Sequence, residues 1–253
     1  MAAVMMMGVT EVEIVVAHQE RATLRVGEVF LKVDADPART NVEMAAMALA
    51  PVPTPRVLWH NRLVLALAAL PGSALGRLGQ LSTASPRAWT AAGAALRQLH
   101  DAPLPPWPGR ELEEIETNLD RQCHWLLDND VLPVDLISRN HEIARVALRE
   151  WTPAFIHGDL QSNHVFVDGD VVTGVIDWSE AAPGDALFDV ATLTFGHEEH
   201  LTDVLTGYDS SVDLAVIRGW WSFRSLSAIQ WLVEHGFDPF APGCEVDVLK
   251  AQK

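Results

Sequence analysis

The chain has 253 residues, with 18 Lys or Arg against 34 Asp or Glu, which gives a formal charge of −16. Hydrophobic residues make up 49% and charged residues 21%, a composition typical of a globular protein and not of a disordered one. So acidic a chain is a poor partner for nucleic acid or an anionic membrane, whereas a cationic ligand would suit it. We therefore expect no nucleic-acid and no membrane partner.

The sequence carries no obvious targeting or spanning segment. Its longest clean apolar run, residues 63–70, is too short to cross a bilayer. No Lys or Arg precedes Arg21, so the start lacks the basic region of a signal peptide. Cys123 and Cys244 lie far apart and do not have the spacing of metal ligands. We expect a cytoplasmic protein with two reduced thiols.

The first third of the chain favours strands. β-Branched runs predict strands over residues 12–16, 22–26 and 29–33, and Gly27-Glu28 fits a two-residue hairpin loop between the last two. Residues 41–49 predict a helix, which the following prolines end. Residues 57–59 and 62–66 predict a further strand pair, closed by a turn at Pro71-Gly72. Residues 1–70 are thus predicted to form a small strand-rich lobe.

Beyond that turn the pattern becomes helical. Helices are predicted over residues 85–100, 111–128, 136–151 and 213–235, with a rigid proline-rich connector at 103–108. The last helix carries an aromatic stripe, which more often packs into a core than binds a ligand. Residues 71–253 are therefore predicted to form a larger helical lobe.

The chemistry-bearing residues are concentrated in segment 155–190. Strands predicted at 165–167 and 171–176 flank the turn Asp168-Gly169-Asp170. A loop centred on Asp168-Gly169 puts Asp177 opposite Leu160, and a loop centred one residue later puts it opposite Ser162. Either register brings Asp177 back beside the short loop that holds Asp159, Asn163 and His164.

Two carboxylates that converge at the end of a hairpin repel each other and raise each other's pKa unless a cation lies between them. Their hard oxygen donors suit Mg²⁺, which binds one or two carboxylates together with substrate phosphates. The simpler interpretation is that Asp159 and Asp177 only cap turns. Because a His-X-Asp motif and a second Asp occur together around one short hairpin, we favour a functional site.

The motifs of this segment resemble a known family. His157-Gly158-Asp159-Leu160, then Val175-Ile176-Asp177-Trp178, then Gly184-Asp185 and Asp189 are similar to the aminoglycoside phosphotransferase family. The resemblance is specific over about residues 155–191 and weaker over the strand-rich lobe. It implies an α+β, bilobal, protein-kinase-like fold. It also implies ATP and Mg²⁺ in a cleft and phosphoryl transfer to a hydroxyl of a small-molecule acceptor.

The resemblance assigns roles to individual residues. Asp159 matches the catalytic Asp that accepts the hydroxyl proton or orients the nucleophile, and His157 would support its loop. Asp177 matches the metal-binding Asp. Asp185 and Asp189 match structural positions that tie the following helix to the catalytic loop.

The strand-rich lobe supplies the expected nucleotide-binding residues. Lys32, on the third predicted strand, matches the family's phosphate-binding Lys, and Glu43 on the next helix is its candidate ion-pair partner. The hinge that would bind the adenine through its backbone is expected from Ala68 to Leu70.

The sequence departs from the family at two points. The usual second metal ligand is an Asn, but His164 occupies its position and Asn163 precedes it, so the assignment is split between the two. Imidazole suits Mn²⁺ or Zn²⁺ better than Mg²⁺. In addition, residues 17–21 lack the glycines of a phosphate-covering loop, so backbone binding must be weaker or replaced by side chains.

Three hypotheses follow. The leading one is an ATP- and Mg²⁺-dependent O-phosphotransferase, with Glu180, Glu198 and Glu199 as candidates to meet a cationic acceptor. The second, motivated by the missing glycines and the displaced Asn, is a catalytically weak or inactive kinase-like nucleotide-binding protein. The third is a metallohydrolase that uses a metal cluster of His157, Asp159, His164 and Asp177.

Overall fold

The computed structural model describes residues 11–18 and 20–252. Residues 1–10, which contribute to the prediction that no signal peptide is present, lie outside the described residues. So do Gln19, in the glycine-free loop, and Lys253.

The first part of the chain forms a five-stranded antiparallel sheet in the order β1-β2-β3-β5-β4. The three opening strands lie where the sequence predicts them. The second pair also forms, but β5 starts later than predicted because residues 62 and 63 make the turn. At this turn the Asn61 side chain accepts the backbone N–H of Arg62. The strands are β1 (Val12–Ala17), β2 (Arg21–Val26), β3 (Val29–Asp34), β4 (Val57–Asn61) and β5 (Val64–Ala68).

Helix α1 (Pro37–Leu49) packs beside this sheet. It begins four residues before the predicted start at residue 41. Asp36 accepts the N–H of Ala38 over 2.8 Å, and Pro37 fits the first helical turn, where no donor is needed. The helix buries Glu43 on the face that carries Ala46 and Met47, so a carboxylate lies inside the lobe.

The rest of the chain is mainly helical. Three predicted helices are confirmed to within a residue or two at each end: α2, α3 and α7. The helix predicted to run to residue 151 instead ends at Arg145, where the chain turns and packs the fully buried Ala147 against Gly219. Helix α5 is the helix expected after Asp185 from the family resemblance, whereas the short helices α6 and α8 were not predicted. The bounds are α2 (Pro86–His100), α3 (Leu112–Asp128), α4 (Val134–Arg145), α5 (Ala186–Leu193), α6 (Leu201–Tyr208), α7 (Leu214–Glu234) and α8 (Glu245–Ala251).

Two small antiparallel sheets lie next to the helices. One has the order β6-β8-β9 and the other pairs β10 with β7. The strands are β6 (Ser73–Ala74), β7 (Ala154–Ile156), β8 (Val165–Asp168), β9 (Val171–Val175) and β10 (Ala182–Gly184). The last strand of the five-stranded sheet thus ends at Ala68, and the later strands belong to the two small sheets. The lobe boundary at residue 70 stays a prediction.

The β8–β9 hairpin decides where Asp177 lies. Asp168 pairs with Val171, as expected for the later of the two predicted loop centres. An irregularity beyond Val167 then shifts the register by one residue. The N–H of Ile176 consequently donates to the carbonyl of His164 over 3.0 Å, so Asp177 returns beside the loop that carries Asp159.

The aromatic stripe of α7 belongs mostly to the core. Trp220 and Trp221 are buried, whereas Trp231 near the helix end is 42% exposed. Cys123 is buried and Cys244 half-buried, and both are free thiols. Within the described part of the chain, no helix is long and apolar enough to cross a membrane.

Candidate active site

Two adjacent loops carry the candidate carboxylates, and one histidine joins them. Asp159 follows β7 and Asp177 follows β9. The buried ring of His157 donates from Nε2 to the carbonyl of Ile176 over 3.0 Å and accepts at Nδ1 from the N–H of Asp159 over 3.2 Å. His157 therefore links the two loops, and its role in supporting a catalytic loop stays a prediction.

The loop before Asp159 is held in an unusual conformation. Gly158 has φ +82°, and a Cβ there would lie 2.1 Å from the carbonyl oxygen of Glu180, so only glycine fits. The carboxylate of Asp189 accepts the N–H groups of His157 over 2.6 Å and of Gly158 over 2.9 Å. Asp185 caps α5 through the N–H of Leu187. These contacts agree with the structural positions predicted for Asp185 and Asp189.

A hydrogen-bond donor and an ion-pair partner lie beside the Asp159 carboxylate. Gln161 Nε2 lies 3.1 Å from both carboxylate oxygens. Arg224 of α7 places Nη2 2.9 Å from Oδ1, and its guanidinium lies 5.7 Å from the ring centroid of Phe195. Arg224 is not predictable from the sequence, because nothing local in the sequence links a helix near the end of the chain to this loop.

Cations also surround Asp177, whose backbone lies in the left-handed region with φ +66°. Lys32 Nζ lies 2.8 Å and Arg21 Nη1 lies 3.3 Å from Asp177 Oδ1. Lys32 Nζ also lies 2.5 Å from Glu43 Oε1, so the ion pair predicted from the sequence is formed. A strained backbone in an ion-paired loop is common at functional sites.

The charged groups around Lys32 lower the pKa of Asp177 and raise the pKa of Lys32 itself. Burial alone would raise the pKa of Asp177, but the charges of Lys32 and Arg21 hold it well below its ordinary value. Burial would lower the pKa of Lys32, and its two carboxylate neighbours raise it instead. Burial raises the pKa of Glu43, which shares Lys32 with Asp177. Asp177 and Lys32 are thus kept charged.

Arg21 at the start of β2 extends this network, and its role was not predicted from the sequence either. Its Nε lies 3.0 Å from Asp34 Oδ2, and its Nη2 donates to Ser179 Oγ over 2.9 Å. The side chain is 16% exposed. The strand-rich lobe therefore places two cations, Arg21 and Lys32, on the Asp177 loop.

The residues around Asp177 are compatible with Mg²⁺. Among the described residues, hydrogen bonds are made to its Oδ1 and none to its Oδ2, and one carboxylate oxygen suffices for an ion that also binds substrate phosphates. His164 is buried, with Nδ1 2.8 Å from the Asp159 carbonyl, so only Nε2 is available as a ligand. Asn163 is exposed to solvent.

The metal cluster of the hydrolase hypothesis finds no support in this geometry. Both ring nitrogens of His157 already have hydrogen-bond partners. Across residues 11–18 and 20–252, no three His, Cys, Asp or Glu side chains are arranged to hold a metal ion.

The remaining predicted residues contact other parts of the chain. Ala68 ends β5 and donates its N–H to Arg56, while Leu70 packs against Gly174. The three predicted glutamates have exposed side chains and form ion pairs elsewhere on the chain. Glu180 lies 4.0 Å from Arg110, Glu198 3.8 Å from Arg218 and Glu199 3.7 Å from His197.

A five-stranded antiparallel sheet with a Lys–Glu pair, next to a helical region that carries a His-Gly-Asp loop, defines a protein-kinase-like phosphotransferase fold, as predicted. Residues 15–223 match the model of the phosphotransferase enzyme family. The chain belongs to that family, which confirms the resemblance recognised in the motifs.

Similar proteins agree with this assignment. A hygromycin-B 4-O-kinase from Escherichia coli is 48% identical over 40 residues, which are 16% of this chain and 12% of that protein's length. The fold resembles the GDP and kanamycin complex of APH(2")-IIIa, with TM-score 0.71, 17% identity and coverage of 96% and 93% of the two chains. It also resembles the streptomycin-ATP-APH(2")-IIa ternary complex, with TM-score 0.63, 15% identity and coverage of 97% and 93%.

Proposed function

We propose that the chain transfers the γ-phosphoryl group of ATP to a hydroxyl group of a small, cationic acceptor, with Mg²⁺ as the metal. The observation that carries this proposal is the pair of carboxylates, Asp159 and Asp177, on two loops joined by His157. The Lys32–Glu43 pair beside Asp177 adds the second element that phosphoryl transfer requires.

Each residue has a defined task in this reaction. Asp159 orients the acceptor hydroxyl and takes its proton, while the hydroxyl oxygen forms a bond to phosphorus and the bond from phosphorus to the ADP oxygen breaks. Lys32 binds the nucleotide phosphates. Asp177 is the carboxylate that would hold Mg²⁺, which neutralises charge on the phosphates. Such catalysis depends on positioning and on charge stabilisation.

The nucleotide is expected to bind through the backbone groups of residues 68–70 that remain available, because the N–H groups of Ala68 and Ala69 already donate to the carbonyls of Arg56 and Glu28. Ala68 and Leu70 offer no polar side chain, so the base would be read only by peptide groups and apolar contacts. One structural neighbour is an ATP complex and another a GDP complex. Assays should therefore compare ATP with GTP, and we expect ATP to be preferred.

A cationic acceptor fits the formal charge of −16 and the exposed side chains of Glu180, Glu198 and Glu199. Kanamycin and streptomycin accompany the structural neighbours, and hygromycin B is the substrate named for the sequence relative. Arg224 adds a constraint because its positive charge lies next to Asp159. The reacting hydroxyl should therefore be remote from the acceptor's amino groups.

The proposal is tested by measuring ATP consumption with a panel of hygromycin B, other aminoglycosides and small hydroxyl-bearing metabolites. Asp159→Asn should lower transfer about 100- to 10,000-fold, while ADP binding and the melting temperature stay near those of the wild type. Asp168→Asn, which removes an exposed carboxylate from the hairpin turn, is the matched control and should keep full activity. Full activity of Asp159→Asn would overturn the assignment of Asp159.

A weakly active or inactive nucleotide-binding protein is the second candidate. It is favoured by one observation, the absence of glycine between Val16 and Ala22. ADP binding without turnover on any member of the panel would support it. Acceptor-dependent phosphate transfer would exclude it.

A further inference from the structure

The loop between β1 and β2 is built differently from a phosphate-binding loop. Glycine-rich loops cover nucleotide phosphates because their backbone N–H groups can approach closely. Residues 17–21 of this chain are Ala, His, Gln, Glu and Arg. Since none of these residues is glycine, the sequence does not offer the close backbone approach that glycine allows, so another donor is needed for the same task.

Arg21, at the end of this loop, has the geometry of such a donor. Its side chain reaches from β2 to the Asp177 loop, with Nη1 on Asp177 and Nη2 on Ser179. Nε is held separately by the buried Asp34 at 3.0 Å. The two terminal nitrogens therefore lie together at the candidate metal-binding carboxylate, while the stem of the side chain is anchored from behind.

The charge balance favours a move of these nitrogens when ligands bind. Arg21, Lys32 and the more exposed Arg39, which lies 4.0 Å from Asp34, supply three formal positive charges, and Asp34, Glu43 and Asp177 supply three negative ones. A divalent cation at Asp177 would make this balanced cluster positive. The side chains of Arg21 and Lys32 would then be repelled from Asp177 toward the nearest new anion. A guanidinium also matches phosphate oxygens with two parallel hydrogen bonds.

We infer that Arg21 is a phosphate-binding residue that replaces the glycine-rich loop. Nη1 and Nη2 transfer from Asp177 and Ser179 to oxygens of the nucleotide phosphates, and Asp34 keeps the side chain aimed at them. The inference rests on the proposed function, since it requires a nucleotide in this cleft. The Arg21 side chain would thus make the phosphate contacts that backbone N–H groups make in a glycine-rich loop.

The test compares the binding of ADP and of adenosine by calorimetry, without an acceptor. Arg21→Gln should weaken ADP binding about tenfold or more, as expected for the loss of charge-assisted hydrogen bonds, and should leave adenosine binding unchanged. Arg21→Lys should give an intermediate ADP affinity because it keeps the charge without the fork. Arg25→Ala, on the same strand and more exposed, is the matched control and should bind ADP as the wild type does.

Each outcome separates this inference from the proposed function. If folded Arg21→Gln binds ADP within twofold of the wild type, or loses adenosine binding in parallel, the phosphate role is wrong while nucleotide binding stands. If the wild type binds neither ADP nor ATP, the proposed function itself fails. Melting temperatures of both Arg21 variants check that Asp34, left without its partner, does not unfold the lobe.

Discussion

Arg224 Nη2 lies 2.9 Å from Asp159 Oδ1, so an arginine from the last long helix holds the carboxylate on which the proposed transfer depends. Gln161 donates to both oxygens of the same carboxylate. The acceptor hydroxyl must therefore share Asp159 with the amide of Gln161 and with the positive charge of Arg224. Arg224 is best described as a positioning residue, since it acts through Asp159.

Replacing Arg224 should impair the chemical step. Arg224→Ala frees Asp159 to turn away from the acceptor hydroxyl, and misplacement by about 1 Å can cost on the order of 100-fold in rate. We expect kcat to fall about 10- to 100-fold while the KM for ATP stays unchanged. Steady-state kinetics with the best acceptor of the panel measure both constants.

Arg218→Ala is the matched control for this prediction. Arg218 lies on the same helix and is exposed, with Glu198 at 3.8 Å as its partner. Arg218→Ala should leave kcat unchanged. Arg224→Lys should recover part of the rate that Arg224→Ala loses, because it keeps the charge. An unchanged kcat in Arg224→Ala, or an equal rise in the KM for ATP, would contradict the positioning role.

The sequence was informative where the determinants of structure are local. The hairpin β8–β9 follows from the Asp168-Gly169-Asp170 turn, and its return path identifies Asp177 as a neighbour of Asp159. The Lys32–Glu43 pair was predicted because Lys32 matches the family's phosphate-binding Lys and Glu43 lies on the next helix. Motifs of this kind depend on short stretches of chain.

The contacts that could not be predicted join distant parts of the chain. Arg21 meets Asp177 and Arg224 meets Asp159 only after the lobes and α7 have packed. Neither arginine stands in a distinctive local pattern, since arginines on strands and helices are usually solvated. The early end of α4 has the same origin: Ala147 turns inward because Gly219 of α7 leaves room for it.

The buried Lys32 should be important for stability as well as for binding. Lys32→Ala leaves Glu43 and Asp177 without the cation at 2.5 and 2.8 Å from their oxygens. Removing one partner of a buried ion pair costs about 3–5 kcal/mol. We expect a loss of that order in the free energy of unfolding, measured by urea denaturation at pH 7.

Two further variants define the cause of that loss. The double variant Lys32→Met, Glu43→Gln removes a positive and a negative charge together and should recover part of the stability. Arg97→Ala breaks the exposed ion pair with Asp101 and should cost much less. If Lys32→Ala were no more destabilising than Arg97→Ala, the pair would be unimportant for the fold.

His164 should influence the choice of metal. Its Nε2 is available as a ligand, and imidazole favours Mn²⁺ over Mg²⁺ when compared with an amide oxygen. His164→Asn can still donate to the Asp159 carbonyl, so we expect the fold to be kept. The ratio of kcat/KM with Mn²⁺ to that with Mg²⁺ should fall several-fold in this variant.

Asn163→Ala tests the competing assignment. Because Asn163 is exposed, its removal should leave the metal preference unchanged. A loss of Mg²⁺-dependent activity in Asn163→Ala, with no effect of His164→Asn, would transfer the ligand role to Asn163.

The buried His157 should make stability depend on pH. Burial lowers the pKa of His157, against the opposing charge of Asp189. Protonating Nδ1 would also break its hydrogen bond from the N–H of Asp159. The unfolded chain therefore binds a proton at a higher pH than the folded chain does. The stabilising contribution of neutral His157 is fully present above the unfolded pKa of 6.5 and is lost as the pH falls below that value.

The variant His157→Gln isolates this contribution, because a glutamine can replace both hydrogen bonds without titrating. We expect the free energy of unfolding to fall less steeply from pH 7 to pH 5 than in the wild type, by up to about 1.4 kcal/mol per pH unit for one proton. Burial also lowers the pKa of His197, so His197→Gln should reduce the slope in the same way. Carboxyl groups common to all three proteins cancel in the comparison. Parallel pH profiles for the wild type and His157→Gln, measured by urea denaturation, would show that His157 is not the group that titrates.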